Sequence, residues 1–468
     1  MTTSHRFHLI GIGGAGMSVV AELLKDRGLE VSGSDQKDSP VLDHLRSVGV
    51  KVFVGHDASH VPAGSVVVVS TAVRETNPEL AYARKEGLRV IHRSQALALA
   101  ASGMRFVAVA GAHGKTTTSG MLSMALRQAG ADPSIAVGSV IPELGSGAHL
   151  GSGDIFVAEA DESDGSFLNY TPWIEIVTNV EPDHLDRYGS REAFEQVFVD
   201  FVGCLREGGT LVCCGEDAGS ARLARYAKGR GIDTVTYGRE GQENPELGAP
   251  CDVVIKDATT DGHVASAQVL WNTETVEINL RVPGLHNIVN AVAAWIAGVR
   301  LGIEARLMAS SLTAFSGTSR RFEFKGESSG RRLYDDYAHH PTEVAAAITQ
   351  ARSAAGNGEV SVVFQPHLYS RTQSFAGRFA DALSHADHVY VCDIYGARED
   401  PVPGVDSTLI TSHLPKARYV PDMHEAARLA AREVTEGGIL LTMGAGSITQ
   451  CDQDVLDEWE HDGAGSAQ

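Results

Sequence analysis

The sequence lacks any long uninterrupted run of apolar residues. No window approaches the roughly 18 to 20 apolar residues that a transmembrane helix requires, although 43% of the 468 residues are hydrophobic. A basic leader followed by an apolar stretch and a cleavage site is also missing at the N-terminus, because glycines interrupt its apolar segment within a few residues. We therefore expect a cytoplasmic protein that is not inserted in a membrane.

Cysteine and positive charge are both scarce. The six cysteines form no Cys-x-x-Cys pair and have no regular spacing, which is typical of reduced thiols rather than of a disulfide framework. The 39 lysine and arginine residues are outnumbered by 59 aspartate and glutamate residues, and the net charge is −20. This balance argues against general affinity for nucleic acid or anionic membranes, so phosphate must be bound locally by backbone N–H groups and a few cations.

Short apolar runs alternate with segments of helical period along the whole chain, and this alternation predicts parallel α/β sheets. A chain of this length is expected to form two or three domains. The pattern divides into an N-terminal block over residues 1–103, a central block over 104–316 and a C-terminal block over 317–468. The central block contains a charged, strand-rich insertion around 233–282.

A glycine-rich loop follows the first apolar strand. Gly11, Gly13 and Gly16 stand in a Gly-x-Gly-x-x-Gly pattern before a helical segment, where the backbone can approach a pyrophosphate at the helix N-terminus. Asp35 ends the next strand, near the position that contacts a ribose hydroxyl. Because a dinucleotide and a nucleoside diphosphate such as UDP both present a pyrophosphate and a ribose, the motif leaves the two open.

A second glycine loop indicates ATP. Residues 111–117 read GAHGKTT, between a strand and a helix, and form a Walker A loop that is shortened because Val109 occupies the place of its first glycine. Backbone N–H groups would surround the β-phosphate. We expect Lys115 to approach the β and γ oxygens and the Thr116 hydroxyl to bind Mg²⁺.

Acidic and histidine residues after two later strands are candidate metal ligands. Because the carboxyl ends of parallel strands meet at one sheet edge, Glu159 of EADESD and His184 of EPDHLD are predicted to bind Mg²⁺ directly or through water. Glu162 and Asp186 could equally be solvated loop charges. No HExxH motif and no Cys/His cluster with ligand spacing is present, so zinc is not expected.

The C-terminal block carries a further group of polar residues. Pro341 and Glu343 suit the first turn of a helix, so the two histidines of DDYAHHP precede its positive end. Capping and packing would also explain such residues. Alternatively, a pocket for an anionic, hydrogen-bonding substrate could be formed by Tyr337, His339, His367 and Arg371.

Taken together, these motifs resemble those of the Mur ligase family. The resemblance implies an α/β fold of three domains: a Rossmann-like N-terminal domain that binds a UDP-sugar, a central P-loop ATPase-like domain that binds ATP, and a Rossmann-like C-terminal domain that binds an amino acid. The first loop is thereby assigned to a UDP-sugar and not to a hydride carrier. The segments that carry the resemblance occur in order across all three blocks and read GIGGAGMS, GAHGKTTT, EADESD, TNVEPDHLDRY, LHNIVNAVAA, RRFEF, YDDYAHHPTEV and FQPHLYSRT.

The activity implied by the resemblance is ATP-dependent amide formation in peptidoglycan precursor synthesis. The carboxylate of UDP-N-acetylmuramate attacks the γ-phosphate of ATP, and the amine of L-alanine then attacks the resulting acyl phosphate. Mg²⁺ is the implied cofactor. Domain closure is expected to assemble the site, in a monomer or a weak homodimer.

Site residues follow from the same resemblance, position by position. The implied ATP contacts are Gly111, His113, Gly114, Lys115, Thr116, Thr117, Asn287, Arg321 and Asp336. The implied UDP-sugar contacts are Gly11, Gly13, Gly14, Ala15, Gly16, Asp35 and Ser70. The L-alanine pocket would consist of Tyr337, His339, His367 and Arg371, the Mg²⁺ ligands of Thr116, Glu159 and His184, and the catalytic set of Lys115, His184 and Arg321.

Two departures from the family pattern bear on the choice of substrate. Several relatives use a carbamylated lysine where this chain has Val199, and its absence favours the alanine-adding branch. Many relatives have arginine where this chain has Leu368, so recognition of the alanine carboxylate is expected to depend on Arg371. Two alternatives stay open: a sister ligase that attaches a tripeptide to the same nucleotide sugar, and a dehydrogenase or nucleotide-sensing switch.

Overall fold

The computed structural model describes residues 6–183, 185–261, 263–397 and 399–465, without the side chains at 15, 185, 186 and 462–465. The chain divides into two compact units. Unit 1 consists of Met1–Ala258, Ser266–Leu280 and Ile288–Ser316, and unit 2 of Thr259–Ala265, Arg281–Asn287 and Gly317–Gln468. Within the described residues, no helix is both long and apolar enough to cross a membrane.

The first sheet of unit 1 is formed by the N-terminal part of the chain. Its elements are β1 (Arg6–Ile10), α1 (Ala15–Asp26), β2 (Glu30–Asp35), α2 (Pro40–Ser47), β3 (Lys51–Val54), β4 (Val66–Val69), α3 (Pro78–Lys85), β5 (Val90–His92) and α4 (Arg93–Ala100). The strands are parallel in the order β3-β2-β1-β4-β5. Leu23 of α1 and Leu97 of α4 belong to one apolar core, whereas Leu80 of α3 belongs to another.

The second sheet of unit 1 carries the second glycine loop. Its first elements are β6 (Arg105–Ala110), α5 (Lys115–Gln128), β7 (Ser134–Ile141), β8 (Ser146–His149), β9 (Ile155–Glu159), β10 (Ile174–Val177), α6 (Leu185–Tyr188) and α7 (Arg191–Val202). They are followed by β11 (Thr210–Cys214), α8 (Ala218–Gly229), β12 (Asp233–Arg239), β13 (Val253–Thr260), β14 (Ala265–Trp271), β15 (Glu274–Leu280), α9 (Leu285–Arg300) and α10 (Ala305–Ser311). The strand order is β15-β14-β13-β12-β11-β10-β6-β9-β7-β8.

Strand β6 lies between β9 and β10 and is parallel to both. The carboxyl ends of these three strands therefore meet at one edge of the sheet, as the alternation of strands and helices predicted. The strand-rich insertion around 233–282 is also confirmed, since β12 to β15 extend the same sheet.

The third sheet belongs to unit 2. Its elements are β16 (Glu323–Ser328), β17 (Arg331–Asp336), α11 (Pro341–Ala355), β18 (Val360–Phe364), α12 (Tyr369–Leu383), β19 (His388–Val391), α13 (Thr408–Thr411), β20 (Arg418–Tyr419), α14 (Met423–Glu433), β21 (Ile439–Met443) and α15 (Asp452–Gly465). The order is β16-β17-β21-β18-β19-β20, with β16 antiparallel to β17. Val344 of α11 and Phe379 of α12 lie in one core, and Ala427 of α14 and Trp459 of α15 in the other. The predicted α/β class is confirmed.

Helix α11 begins as the sequence predicted. Pro341 is its first residue, where a missing N–H costs nothing. His340 precedes it as the N-cap residue, and Glu343 accepts hydrogen bonds from the backbone N–H groups of His339 and His340. This capping fixes the direction in which the preceding segment, residues 337–340, leaves the sheet.

Candidate functional site

The second glycine loop, residues 111–114, connects β6 to α5 in a conformation that needs glycine twice. Gly111 has φ of +130°, and a Cβ there would lie 2.2 Å from Oγ1 of Thr178. Gly114 has φ of +82°, and a Cβ there would lie 2.7 Å from Oδ1 of Asn290. The loop thus presents backbone N–H groups at the start of α5, the arrangement that binds phosphate in nucleotide-binding proteins. Thr116 and Thr117 follow in the first turn of α5.

Lys115 is held by the loop and by a buried carboxylate. Its Nζ donates to the carbonyl oxygens of Gly111, at 2.6 Å, and Ala112, at 3.3 Å. The same Nζ lies 2.9 Å from Oε1 of Glu162, whose side chain is only 2% exposed. Burial alone would lower the pKa of Lys115, but the carboxylates of Glu162 and Asp161 outweigh it and raise the pKa. The ammonium therefore stays charged beside the loop.

The sequence leaves two interpretations of Glu162 open, one of which is a solvated loop charge. The structure excludes that one, because Glu162 is buried and paired with Lys115. The two residues are separated by 47 positions in the chain. Since a pattern along the sequence does not reveal such a contact, only the adjacency of β6 and β9 could have indicated it.

Two residues that the sequence reading missed hold the loop from β10. Asn179 accepts a hydrogen bond from the backbone N–H of His113 at 3.0 Å and donates to its carbonyl at 2.9 Å. Thr178 donates from Oγ1 to the carbonyls of Ala110 and His113. The signal was available in the motif TNVEPDH, because polar residues directly after a strand parallel to β6 must reach the same sheet edge.

The predicted metal ligands lie at this edge where they are described. Glu159 is the last residue of β9, in register with Val109 of β6, and its Oε1 accepts from the backbone N–H of Gly138 at 2.9 Å. The Thr116 side chain is largely buried in the first turn of α5. His184, the third predicted ligand and a predicted catalytic residue, lies outside the described residues. The carboxyl group of Glu181 lies 3.2 Å from Nε2 of His113.

The first glycine loop, residues 11–16, is shaped by Asp35. Gly11 has φ of +77° and its N–H donates to the carbonyl of Ser34 at 2.8 Å. The N–H of Gly13 donates to Oδ2 of Asp35 at 2.9 Å. Gly14 is the N-cap residue of α1. Asp35, predicted to contact a ribose, thus also holds the backbone of the loop itself.

The remaining residues predicted to contact the UDP-sugar are Ala15, Gly16 and Ser70. Ala15 is the first residue of α1. A Cβ at Gly16 would lie 2.5 Å from a terminal nitrogen of Arg93, so the missing side chain makes room for that guanidinium. Ser70 directly follows β4, and its carbonyl accepts from the N–H of Val73 at 3.1 Å.

The segment of residues 159–164, which starts at the last residue of β9, contacts residues that adjoin both loops of unit 1. Asp161 accepts from Arg93 at 3.3 Å, and this arginine lies beside Gly16. Burial would raise the pKa of Asp161, but Arg93 and Lys115 lower it, so the carboxylate stays charged. Asp164 accepts from Oγ1 of Thr71 at 3.3 Å. Together with the Lys115–Glu162 pair, these contacts give one short segment an electrostatic role at both glycine loops.

In unit 2, the structure brings together the four residues predicted to form an anion pocket. The rings of Tyr337 and His339 lie 5.3 Å apart, and those of His339 and His367 lie 5.8 Å apart. A terminal nitrogen of Arg371 lies 3.2 Å from Nδ1 of His367. Because arginine can only donate, Nδ1 of His367 accepts, and a neutral His367 carries its proton on Nε2.

Arg321 and Asp336, predicted to contact the nucleotide, flank Tyr337. The guanidinium of Arg321 lies 5.3 Å from the centre of the Tyr337 ring and 3.5 Å from a carboxylate oxygen of Glu343. Asp336 accepts from the N–H groups of Phe322 and Ala338, both at 2.7 Å. Burial raises the pKa of Asp336 to about 6, although Arg321 acts in the opposite direction. Asp336 thus ties the 320–322 segment to the end of β17.

Two further positions in unit 2 concern the predictions. The buried Asn287 donates from Nδ2 to the carbonyl of Pro283 at 2.6 Å. Leu368 has φ of +70° and ψ of 136°, a conformation that leucine rarely adopts, and its N–H donates to the carbonyl of Tyr395 at 3.0 Å. This turn places His367 and Arg371 one helical turn apart at the start of α12.

Three sequence profiles of one family match the chain. They describe the Mur ligase family catalytic domain over residues 6–105, the Mur ligase middle domain over 109–298 and the Mur ligase glutamate ligase domain over 320–446. The chain belongs to the Mur ligase family. Membership implies the use of ATP, which agrees with the geometry of the second glycine loop.

Within that family, the chain is similar to alanine-adding enzymes. Over 459 residues it is 51% identical to the UDP-N-acetylmuramate–L-alanine ligase of Kineococcus radiotolerans, covering 96% of this chain and 95% of that protein. The crystal structure of the UDP-N-acetylmuramate–alanine ligase of Thermotoga maritima is 27% identical, with a TM-score of 0.80 over 98% of this chain and 99% of that chain. A murein peptide ligase from Psychrobacter arcticus, 24% identical over 97% of this chain and 98% of that chain, has the same fold with a TM-score of 0.74.

Proposed function

We propose that the chain joins L-alanine to the carboxylate of UDP-N-acetylmuramate, converting ATP to ADP and phosphate and giving UDP-N-acetylmuramoyl-L-alanine. The observation that carries the proposal is the segment 159–164, which pairs with Lys115 at one glycine loop and with Arg93 at the other. A ligase of this kind must hold ATP and a nucleotide sugar at the same time. The similarity to alanine-adding ligases supports L-alanine as the second substrate.

The phosphoryl step uses the ATP-type loop. An oxygen of the muramate carboxylate attacks the γ-phosphorus, the bond to the β,γ-bridging oxygen breaks, and ADP leaves. Negative charge then collects on the phosphate oxygens, and the positive end of α5 together with Lys115 stabilises it. Glu162 contributes indirectly, because it keeps Lys115 protonated and positioned. Arg321 is the cation that we propose for the same charge from unit 2.

The metal for this chemistry is proposed to be Mg²⁺. Thr116, in the first turn of α5, offers a hydroxyl, and Glu159, at the end of β9, offers a carboxylate; both are oxygen ligands of the kind that Mg²⁺ prefers. His184 is the third proposed ligand. When bound, Mg²⁺ supplies neutralisation of part of the triphosphate charge. The other ATP contacts in the proposal are Gly111, His113, Gly114, Thr117, Asn287 and Asp336.

The amide step uses the polar group of unit 2. The amine of L-alanine attacks the acyl carbon, loses a proton, and the tetrahedral intermediate expels phosphate. We propose that Arg371 binds the carboxylate of L-alanine, because a guanidinium can pair with a carboxylate through two parallel N–H groups and this one is oriented by His367. Tyr337 and His339 complete the wall of that pocket.

The nucleotide sugar is assigned to the first glycine loop. The N-terminus of α1 would face the pyrophosphate, with Asp35 holding the loop and contacting the ribose. Gly11, Gly13, Gly14, Ala15, Gly16 and Ser70 are the further contacts. The cytoplasm as the compartment and a monomer or weak homodimer as the assembly belong to the same proposal.

Phosphate release from ATP tests the function directly. In the presence of Mg²⁺, phosphate release should require both UDP-N-acetylmuramate and L-alanine. When isotopically labelled L-alanine is used, the label should appear in the nucleotide product. Release with the sugar nucleotide and a tripeptide only would assign the chain to the recycling reaction, and release independent of both would indicate a nucleotide switch. NADH binding at the first loop would indicate a dehydrogenase.

The variant Lys115→Ala distinguishes the role of the second glycine loop from that of the first. The variant should abolish formation of the acyl phosphate while UDP-N-acetylmuramate still binds, because Lys115 belongs to the second loop only. Lys256→Ala is the control, since Lys256 forms an exposed ion pair with Glu240. An equal loss of sugar-nucleotide affinity and turnover in Lys115→Ala would contradict the assignment of the loops.

A further inference from the structure

A nitrogen, a sulfur and an oxygen atom from three side chains that the proposed function does not use lie close together in unit 2. His424, Cys451 and Asp454 each direct one potential ligand atom to the same place, and these atoms all lie within 4.8 Å of one another. Nδ1 of His424 lies 2.6 Å from Oδ2 of Asp454 and 3.7 Å from Sγ of Cys451. The cluster is therefore centred on one ring nitrogen.

Two packed helices fix the cluster. His424 is the second residue of α14, whose N-cap is Asp422. Cys451 directly precedes α15 and Asp454 lies in its first turn, three positions further on, a spacing that brings two side chains to one side of a helical turn. The two helices are joined further along by a hydrogen bond from Nε1 of Trp459 to the carbonyl of Ala431 at 2.9 Å. The separation of the ligand atoms is thus set by the packing of the core.

The geometry excludes a nucleophilic triad. A Cys-His-Asp triad needs one ring nitrogen at the thiol and the other at the carboxylate, so that a proton can be taken by one and the ring held by the other. Here Nδ1 alone faces both partners. Burial and the carboxylates of Asp454 and Asp452 also raise the pKa of the Cys451 thiol to about 12, the opposite of activation.

We propose that His424, Cys451 and Asp454 bind Zn²⁺ or another borderline-soft divalent cation. Thiolate, imidazole and carboxylate are the ligands that zinc accepts, at about 2.0 to 2.3 Å from the metal. Such a cation would replace the hydrogen bond between His424 and Asp454. The proton on Nδ1 of His424 would then be lost to solvent, with the neutral ring protonated on Nε2, and the proton of the Cys451 thiol would also leave to solvent. The His424 side chain is 40% exposed and that of Asp454 22%, which gives an entry path and leaves a ligand position for water.

The fourth side chain at the cluster orients the carboxylate. Arg428 donates to Oδ1 of Asp454 at 2.7 Å, while Oδ2 faces His424. Metal-binding carboxylates are commonly held in this way by a second partner. Sequence reasoning did not predict zinc because His424 is 27 positions from Cys451, far outside the spacing of a short ligand motif.

Binding of Co²⁺ to the full-length protein tests the site. Cobalt reports its own coordination, and a thiolate ligand adds a sulfur-to-metal charge-transfer band that oxygen ligands such as those expected for Mg²⁺ cannot produce. The wild-type chain should show this band, and Zn²⁺ should remove it by displacement. Cys451→Ala should abolish the band, whereas Cys213→Ala, which removes an equally buried thiol of unit 1, should leave it unchanged.

Thermal unfolding gives an independent readout that does not rely on a cysteine variant. Zn²⁺ should raise the Tm of the wild type, because a cation that binds only the folded state stabilises it. The increase should be absent in His424→Asn, whose own Tm without metal shows whether it folds. A Co²⁺ spectrum without the sulfur band, or a sulfur band that survives in Cys451→Ala, would overturn the proposal.

Discussion

Nζ of Lys115 and Oε1 of Glu162 lie 2.9 Å apart, and the exposed fractions of the two side chains are 18% and 2%. The lysine that follows the proposed ATP-binding loop is therefore paired with a buried carboxylate from the segment 159–164. A buried carboxylate and ammonium that lose their partner keep the cost of burial without the attraction that offsets it. This pair should consequently contribute to stability as well as to chemistry.

We expect a double-mutant cycle on this pair to give a coupling energy of about 1 to 3 kcal/mol in favour of folding. The variants are Lys115→Met, Glu162→Gln and the double variant, and the measurement is urea unfolding without nucleotide. The physical reason is that each single variant removes the attraction between the two charges while one of them stays buried, whereas the double variant removes both charges.

The exposed pair Lys256–Glu240 is a matched control. Its N to O distance is also 2.9 Å, but the exposed fractions are 39% and 63%. Its coupling energy should be below about 1 kcal/mol, because solvent screens an exposed pair and mobile side chains weaken it. Equal coupling energies for the two pairs would show that burial of Glu162 does not strengthen its interaction with Lys115.

Gly111→Ala should raise the KM for ATP by at least about tenfold, an energetic cost that corresponds to roughly 1.4 kcal/mol of lost binding. The new Cβ would lie 2.2 Å from Oγ1 of Thr178 and closer than ordinary van der Waals contact to the backbone of Asn179, so the loop must move. Steady-state kinetics with varied ATP measure the effect.

Gly130→Ala separates this clash from the backbone cost. Gly130 has φ of +86° and follows the end of α5, but a Cβ there has nothing within 4 Å. It should lose roughly 1 kcal/mol of stability from the left-handed conformation and keep its KM for ATP. If Gly130→Ala changes this KM as much as Gly111→Ala does, the crowding at Thr178 is not responsible.

The elements of the fold were largely predictable, because they depend on local patterns. Alternation of apolar runs with helical segments identified the α/β class, and Pro341 and Glu343 identified the start of α11. The strand ends that carry Glu159 and Thr178 could be placed at one edge because β9 and β10 are parallel to β6. These inferences need only the chemistry of neighbouring residues and one rule of sheet geometry.

The pairings within the site were not predictable from such patterns. Glu162 faces Lys115, and Arg93 fills the space beside Gly16, only because different segments meet in three dimensions. The left-handed backbone at Leu368 was equally hidden, since leucine does not favour it and tertiary contacts impose it. Sequence motifs therefore indicated which residues belong to the site, whereas the contacts that these residues make are set by tertiary packing.

Glu175 should make the stability of the protein depend on pH. It lies in β10, in register with the buried residues Ala108 and Leu211, and neither of its carboxylate oxygens has a hydrogen-bond partner among the described residues. Burial raises the pKa of Glu175 well above its usual value. The folded state thus favours the protonated form of Glu175. The contribution of this protonation preference to the stability of the folded state is complete below the unfolded pKa and is lost as the pH rises toward the folded pKa.

Glu175→Leu should therefore stabilise the protein by about 1 to 3 kcal/mol at about pH 8 and by less at about pH 5. Urea unfolding at both pH values measures the difference. Glu277→Leu, at an exposed position of β15, should change stability by less than about 0.5 kcal/mol at either pH. A Glu175→Leu effect that is the same at both pH values would show that the carboxyl group is not protonated on folding.

Arg371→Lys should raise the KM for L-alanine by at least about tenfold while the KM for ATP stays within about twofold. Arg371 is buried, and one of its terminal nitrogens already donates to His367 at 3.2 Å. A guanidinium can hold this contact and still offer a second N–H to a carboxylate, whereas the single ammonium of lysine cannot reproduce both directions. Arg378→Lys, at an exposed position of the same helix, should leave both constants unchanged.

The outcome decides which cation of the pocket binds the carboxylate of L-alanine. If Arg371 is the carboxylate partner, Arg371→Lys loses affinity for L-alanine, its rate recovers at higher L-alanine concentration, and Leu368 acts only by shaping the turn between His367 and α12. If the KM for L-alanine is unchanged, Arg371 has a structural role toward His367. The carboxylate must then be bound by another cation, and Arg321, whose guanidinium lies 5.3 Å from the centre of the Tyr337 ring, is the alternative that we propose.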